Sequence, residues 1–249
     1  MMRSVLASTF LPSPNIEPRR DGVMADMLVL HYTGMPDAKK ACRWLCDPAS
    51  KVSCHYLIEE NGTVIQMVDE DMRAWHAGVS SWMGQQDLNS CSIGVEIQNP
   101  GHAAGYPDFP EAQMLAVIAL CRDILARHSI PPARVLAHSD IAPERKVDPG
   151  EKFDWARLRA QGIGHWVKPE PIEGGTFLQL GDKGQPVEAL QGMLKLYGYG
   201  VEINGLYDGP TQVTVRAFQR HFRPSRVDGF ADSSTVITLH RLLQGLEQV

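Results

Sequence analysis

A chain of 249 residues is long enough for one sizeable domain and a smaller second one, and its 43% apolar and 21% charged residues are ordinary for a soluble globular protein. A net charge of −5 with no basic run excludes an electrostatic nucleic-acid surface. No apolar stretch reaches the roughly 18 residues of a membrane span.

Residues 1–22 read as an N-terminal arm, rich in Pro and short polar residues. Pro12 and Pro14 interrupt its apolar patch, so no cleavable signal peptide is read. The run Met27-Leu28-Val29-Leu30 predicts a buried strand that delivers His31 at its end. A helix is expected over 37–47, with Ala41, Trp44 and Leu45 on one side. Cys42 and Cys46, four apart on it, read either as a metal pair or as two small apolar residues on a buried stripe. Residues 54–68 predict a hairpin, with Asn61-Gly62 supplying the positive φ angles of its turn. Over 92–98 a strand places Ile93, Val95 and Ile97 on one face and Gly94, Glu96 and Gln98 on the other. Residues 111–128 keep helical spacing until Pro131-Pro132. A short strand over 135–137 then presents His138, and a turn-rich loop runs from 140 to 150.

Strands interspersed with helices predict an α/β domain around a central mixed β-sheet, spanning 23–168. A Pro/Gly/Glu linker follows at 169–175. Residues 176–249 predict a small all-α domain of three amphipathic helices, each preceded by a Gly/Asp turn. It is too small to bury much alone and reads as an add-on.

Among nine histidines, His31 and His138 share a context: each directly follows an apolar run and precedes small polar residues. Asp148 precedes Pro149, which biases it to extended backbone, and Lys146 two residues earlier projects to the same side. Two strand-end histidines plus a constrained acid suit a catalytic zinc, which takes three protein ligands and leaves one position open. Lys146 then stabilises negative charge on an intermediate, or is a solvated loop cation. Glu96, in an otherwise apolar strand, is either a general base or an acid on a wet face. His55 is expected to brace the sheet. Five cysteines, an odd number without a C-x-x-C pair, favour free thiols and a cytoplasmic chain.

In order along the chain stand HYTG (31–34), SCHYLIEENG (53–62), RAWHAG (73–78), SIGVEIQN (92–99), AHSDIAPERKVDPG (137–150) and FDW (153–155). This set closely resembles the zinc-dependent N-acetylmuramoyl-L-alanine amidases of the AmpD/AmiD type, the amidase-2 family, which shares its fold with peptidoglycan recognition proteins. The resemblance covers roughly 20–168. It implies Zn2+ held by His31, His138 and Asp148, Glu96 as catalytic acid/base, Lys146 as intermediate stabiliser, and a peptidoglycan or muropeptide substrate. Related recognition proteins usually carry Cys where Asp148 stands. Trp75 and His76 fall in the motif that lines the family's substrate groove, although a core-packing Trp is the plainer alternative. Segments 180–194, 205–219 and 227–236 resemble the three-helix peptidoglycan-binding module of cell-wall hydrolases, with Ala231-Asp232 replacing the usual Gly-Pro before the last helix. A non-catalytic receptor on the same fold and a phage-type endolysin are the rival readings. A wall-binding module points to the envelope and the free thiols to the cytoplasm, which is the expectation taken here.

Overall fold

The computed structural model describes residues 3–246; positions 1–2 of the expected arm and 247–249 of the expected C-terminal domain lie outside the described residues. The arm carries two short strands, β1 (Thr9–Phe10) and β2 (Ile16–Pro18). The predicted strand follows as β3 (Met27–Tyr32), and the predicted helix as α1 (Ala38–Leu45), started by Asp37, which accepts from the Lys40 N–H at 2.7 Å. The hairpin comprises β4 (Tyr56–Ile58) and β5 (Val64–Gln66). Then come β6 (Met72–Ala74), α2 (Leu88–Cys91), β7 (Ser92–Ile97), α3 (Glu111–Arg127), β8 (Val135–Ala137), α4 (His138–Ile141) and α5 (Trp155–Ala160). The C-terminal part holds β9 (Phe177–Leu178), α6 (Gln185–Tyr197), α7 (Gly209–Phe222), β10 (Ala231–Asp232) and α8 (Ser233–Leu246).

The central sheet is mixed, in the order β1-β5-β4-β7-β3-β8. Its middle is parallel: β3 pairs with both β7 and β8, and β4 with β7. Only the β4–β5 hairpin is antiparallel. Residues 3–22 are therefore not a free arm. β1 closes one sheet edge against β5, and β2 pairs with β6. Arg19 donates to the carbonyls of Glu70, Ser90 and Ser92 at 2.9–3.0 Å.

Alternation sorts the strands onto two faces. Leu28, Leu30, Ile93, Val95 and Ile97 face Met114, Val117, Cys121 and Ile124 of α3. On the opposite face, Leu57 and Ile65 pack under α1. Met27, Val29 and Leu136 on that second face join one continuous core with Trp82 and with Leu190, Leu194, Tyr199 and Phe218 of the C-terminal helices. The C-terminal segment thus buries its apolar surface against the sheet domain rather than alone. Gly198 ends α6 at φ +140°, where its bare Cα lies against the Trp82 ring and a Cβ would collide with it. The expected linker is pinned: Glu170 N–H donates to Thr238 Oγ1 at 3.0 Å, and Ser234 Oγ donates to the Glu170 carbonyl at 2.6 Å. At the turn where Ala231-Asp232 stands, Asp232 caps α8 by accepting from the Thr235 N–H at 2.8 Å.

Candidate active site

Because β3, β7 and β8 are parallel, their C-terminal ends share one edge of the sheet, the place where α/β folds collect functional groups. His31 stands opposite Glu96 in register, so both side chains lie on the second face. Leu30 stands opposite Ala137, which puts His138 one step beyond the edge, at the start of α4. The following loop returns Asp148 to the same spot, with Ser139 N–H donating to the Asp148 carbonyl at 3.0 Å.

Three buried atoms converge there. His31 Nδ1 and His138 Nδ1 are 2.8 Å apart, and Asp148 Oδ2 lies 3.0 Å from the latter and 3.3 Å from the former. His138 Nε2 donates to the Ala77 carbonyl at 3.3 Å, which leaves its Nδ1 a bare lone pair directed at the cluster. Two ring nitrogens and a carboxylate this close call for a cation between them. A tetrahedral ion about 2.0–2.1 Å from each donor needs donor–donor edges of about 3.3–3.4 Å, close to the triangle observed. The residues fit a metal ion of the zinc class. Burial, with the adjacent His138, pushes the His31 pKa down to about 4. Burial by itself would raise that of Asp148, but the two imidazoles hold it well below the usual carboxylate range. Among the described residues no other His, Cys, Asp or Glu trio converges in this way.

A cavity of about 360 Å³ opens over the cluster, lined by Glu96, Lys146 and Trp75 together with His138 and Asp148. Glu96 Oε2 is sealed from solvent and has no hydrogen-bond partner among the described residues. Burial pushes its pKa well above the ordinary carboxylate value, with Asp148 adding to the rise and Lys146 opposing it. An acid poised in this way can hold and release a proton.

Trp75 and His76 both line the cavity; His76 is only 7% exposed, and both its ring nitrogens are occupied, by His31 Nε2 at 3.0 Å and Ser92 Oγ at 3.1 Å. Both polar atoms of its ring are thus engaged within the protein. Among the lining residues that sequence reasoning missed are Tyr32, Trp44 and Arg145. Trp44, expected on one side of its helix with Ala41 and Leu45, meets the cavity with both and is 48% exposed. Tyr32 and Arg145 sit beside His31 and Lys146, and that adjacency was the only available signal. His55 braces the sheet as expected, its Nδ1 accepting from the Gly94 N–H at 3.0 Å. Of the cysteine pair, Cys42 lies on the buried side of α1, where burial pushes its thiol pKa up to about 11. That is a packing residue rather than a metal ligand.

The family model described as N-acetylmuramoyl-L-alanine amidase matches residues 21–151, more than half of the chain, and ends just past Asp148. The chain belongs to this amidase family. A second model, described as a putative peptidoglycan binding domain, matches residues 183–239 of the amidase, within its three C-terminal helices. The amidase is 39% identical over 232 residues to the N-acetylmuramoyl-L-alanine amidase AmiD of Escherichia coli K12, covering 88% of this chain and 82% of AmiD. It is 35% identical over 167 residues to the 1,6-anhydro-N-acetylmuramyl-L-alanine amidase AmpD of Citrobacter freundii, covering 60% of this chain and 87% of AmpD. Its fold is similar to that of E. coli AmiD in complex with the substrate anhydro-N-acetylmuramic acid-L-Ala-D-gamma-Glu-L-Lys, with a TM-score of 0.78, 36% identity and 94% of each chain covered. AmpDh3 from Pseudomonas aeruginosa superposes with a TM-score of 0.76 at 31% identity, covering 93% of this chain and 96% of AmpDh3. The expected mixed-sheet amidase domain with a helical peptidoglycan-binding domain is the architecture found. The amidase is an enzyme, a hydrolase of the bond joining the muramoyl group to L-alanine.

Proposed function

We propose that the amidase is zinc-dependent, with Zn2+ held by His31, His138 and Asp148, and that it acts on muramoyl peptides, soluble anhydro-muropeptides among them. The observation that carries this reading is the convergence of three donor atoms within 3.3 Å at the floor of the cavity that Glu96 and Lys146 line. Substrate-bound AmiD supports the choice of ligand, since its fold covers 94% of this chain.

When bound there, zinc polarises the scissile carbonyl and acidifies the attacking water. Glu96 takes the proton from that water; its unpaired, dry carboxyl oxygen is suited to accept and return one. As the carbonyl carbon gains the water oxygen, the Lys146 ammonium holds the negative charge that develops on the carbonyl oxygen. Glu96 then delivers the proton to the departing amine of L-alanine, the C–N bond breaks, and the lactyl carboxylate and a free peptide amine result. Trp75 lines the cavity on the substrate side.

Product mass spectrometry with anhydro-muropeptide and with whole sacculi tests the reading. Release of free stem peptide, lost with a chelator and restored by zinc, is the expected result. Activity indifferent to chelation would overturn zinc dependence. The cytoplasmic placement belongs to the same proposal, supported by five unpaired cysteines, and cell fractionation checks it.

A further inference from the structure

We infer that His76 is a positioning residue: with Ser92 and Asn89 it fixes the tautomer and orientation of His31. The inference rests on His31 being a metal ligand.

A backbone carbonyl can only accept. The Leu88 carbonyl lies 2.5 Å from Ser92 Oγ, so Ser92 spends its single hydroxyl hydrogen there. Toward His76 Nε2, 3.1 Å away, Ser92 has only lone pairs left, so His76 Nε2 carries a hydrogen and donates it. Neither ring partner of His76 is a carboxylate, and a buried imidazole without one is neutral. Its Nδ1 is then bare and accepts from His31 Nε2 at 3.0 Å. His31 must therefore carry its hydrogen on Nε2, and its Nδ1 faces His138 and Asp148 as a lone pair. No step of this assignment uses the metal.

The surroundings are built for the task. Asn89 Oδ1 accepts from both the His76 N–H, at 3.0 Å, and the Ala77 N–H, at 2.8 Å. The two consecutive residues so held serve both ligand histidines: the His76 ring takes Nε2–H of His31, and the Ala77 carbonyl takes that of His138. Gly94 lies directly against the His76 ring, where any Cβ would overlap it. The glycine of SIGVEIQ is the space that ring occupies. Groups of this kind behind a metal ligand typically change metal affinity by about 10–100-fold when removed.

Three measurements test the inference. In metal-free wild type, imidazole 15N shifts should report His31 as the Nε2–H tautomer; the Nδ1–H tautomer would overturn the inference. By chelator competition, His76→Ala should weaken zinc binding about 10–100-fold, while His76→Asn, which keeps an acceptor near the Nδ1 position, should recover most of it. Ser92→Ala should give a smaller loss, and it supplies the test if His76→Ala does not fold. At saturating zinc the KM for anhydro-muropeptide should stay unchanged. Wild-type zinc affinity in both the His76→Ala and Ser92→Ala variants, or a rise in KM alone, would sink the positioning role. A wild type that binds no zinc, or a His31→Ala variant that binds it normally, would instead refute the metal site itself.

Discussion

Tyr199 donates its phenolic hydrogen to Asp140 at 2.7 Å, across the seam between the C-terminal helices and the sheet domain. Asp140 is fully buried, and its other oxygen takes His221 Nδ1 at 2.6 Å and the Ala137 N–H at 2.8 Å. His138 lies between Ala137 and Asp140, so the turn that presents a candidate ligand is gripped by two residues of the helical domain. The Trp155 and His221 rings stack across the same seam, 3.7 Å between centroids.

The seam should therefore carry stability. Tyr199→Phe removes one donor from a buried carboxylate and is expected to cost about 1–3 kcal/mol. Asp140→Ala leaves His221 and Tyr199 without their acceptor and should cost more, about 3–5 kcal/mol. For a chain of this size each kcal/mol lowers Tm by roughly 2–4 °C. Calorimetry of both variants checks the order; equal and negligible shifts would show the seam to be a passive contact. Truncation after residue 168 should give an insoluble or molten sheet domain, because Met27, Val29, Trp82 and Leu136 would lose their cover.

Glu96→Gln keeps the shape of the side chain and removes its proton transfer. A loss of about 10²–10⁴-fold in kcat is expected, with zinc content by elemental analysis unchanged. Near-normal turnover in this variant would exclude Glu96 as the proton carrier.

Lys146→Ala should lower kcat by about 10²–10³-fold and move KM little, since the charge it stabilises exists only in the transition state. A rise in KM at constant kcat would instead make Lys146 a substrate-binding residue.

Acid should unfold the protein in two stages. His55 is buried and its pKa is pushed down to about 3 by burial, with Arg19 adding, so its contribution is whole above about pH 6.5 and is lost as pH falls below it. Glu70 is buried too; burial alone would raise its pKa, but hydrogen bonds from His128, Arg127 and Tyr56 bring it down to about 2. Its contribution is whole above about pH 4.5 and disappears between there and pH 2. Urea titrations at pH 7, 5.5, 4.5 and 3 should show a loss that begins below 6.5 and steepens below 4.5. Glu70→Gln should be less stable than wild type at pH 7 and should show a shallower lower stage, the remainder coming from Asp148. An unchanged profile in that variant would remove Glu70 as its source.

Much of the site was legible because it rests on local pattern. The apolar runs ending at His31 and His138 form parallel strands, and their common edge brings the two rings together. Gly and Pro around Asp148 marked the loop that returns the third donor. Glu96 stood out because alternation put a carboxylate on the face opposite three apolar side chains. The two arm strands were not legible: at two and three residues they carry no periodicity, and partners more than fifty positions away create them. Trp44 shares a side with Ala41 and Leu45 as expected, but helical spacing does not say what that side meets, and the cavity was not foreseen there.

The sequence by itself determined the longer strands and helices, the order of the motifs and the identity of the donor residues, since each depends on neighbours a few residues apart. Only the tertiary structure decided that the C-terminal helices complete the core of the sheet domain, and that His76 meets His31 through a ring nitrogen. Apolar surface is satisfied by whatever covers it, and an imidazole's role by whichever atoms meet its two nitrogens. Both are properties of residues distant in the chain, fixed only when the sheet edge, the Trp82 loop and α7 close on one another.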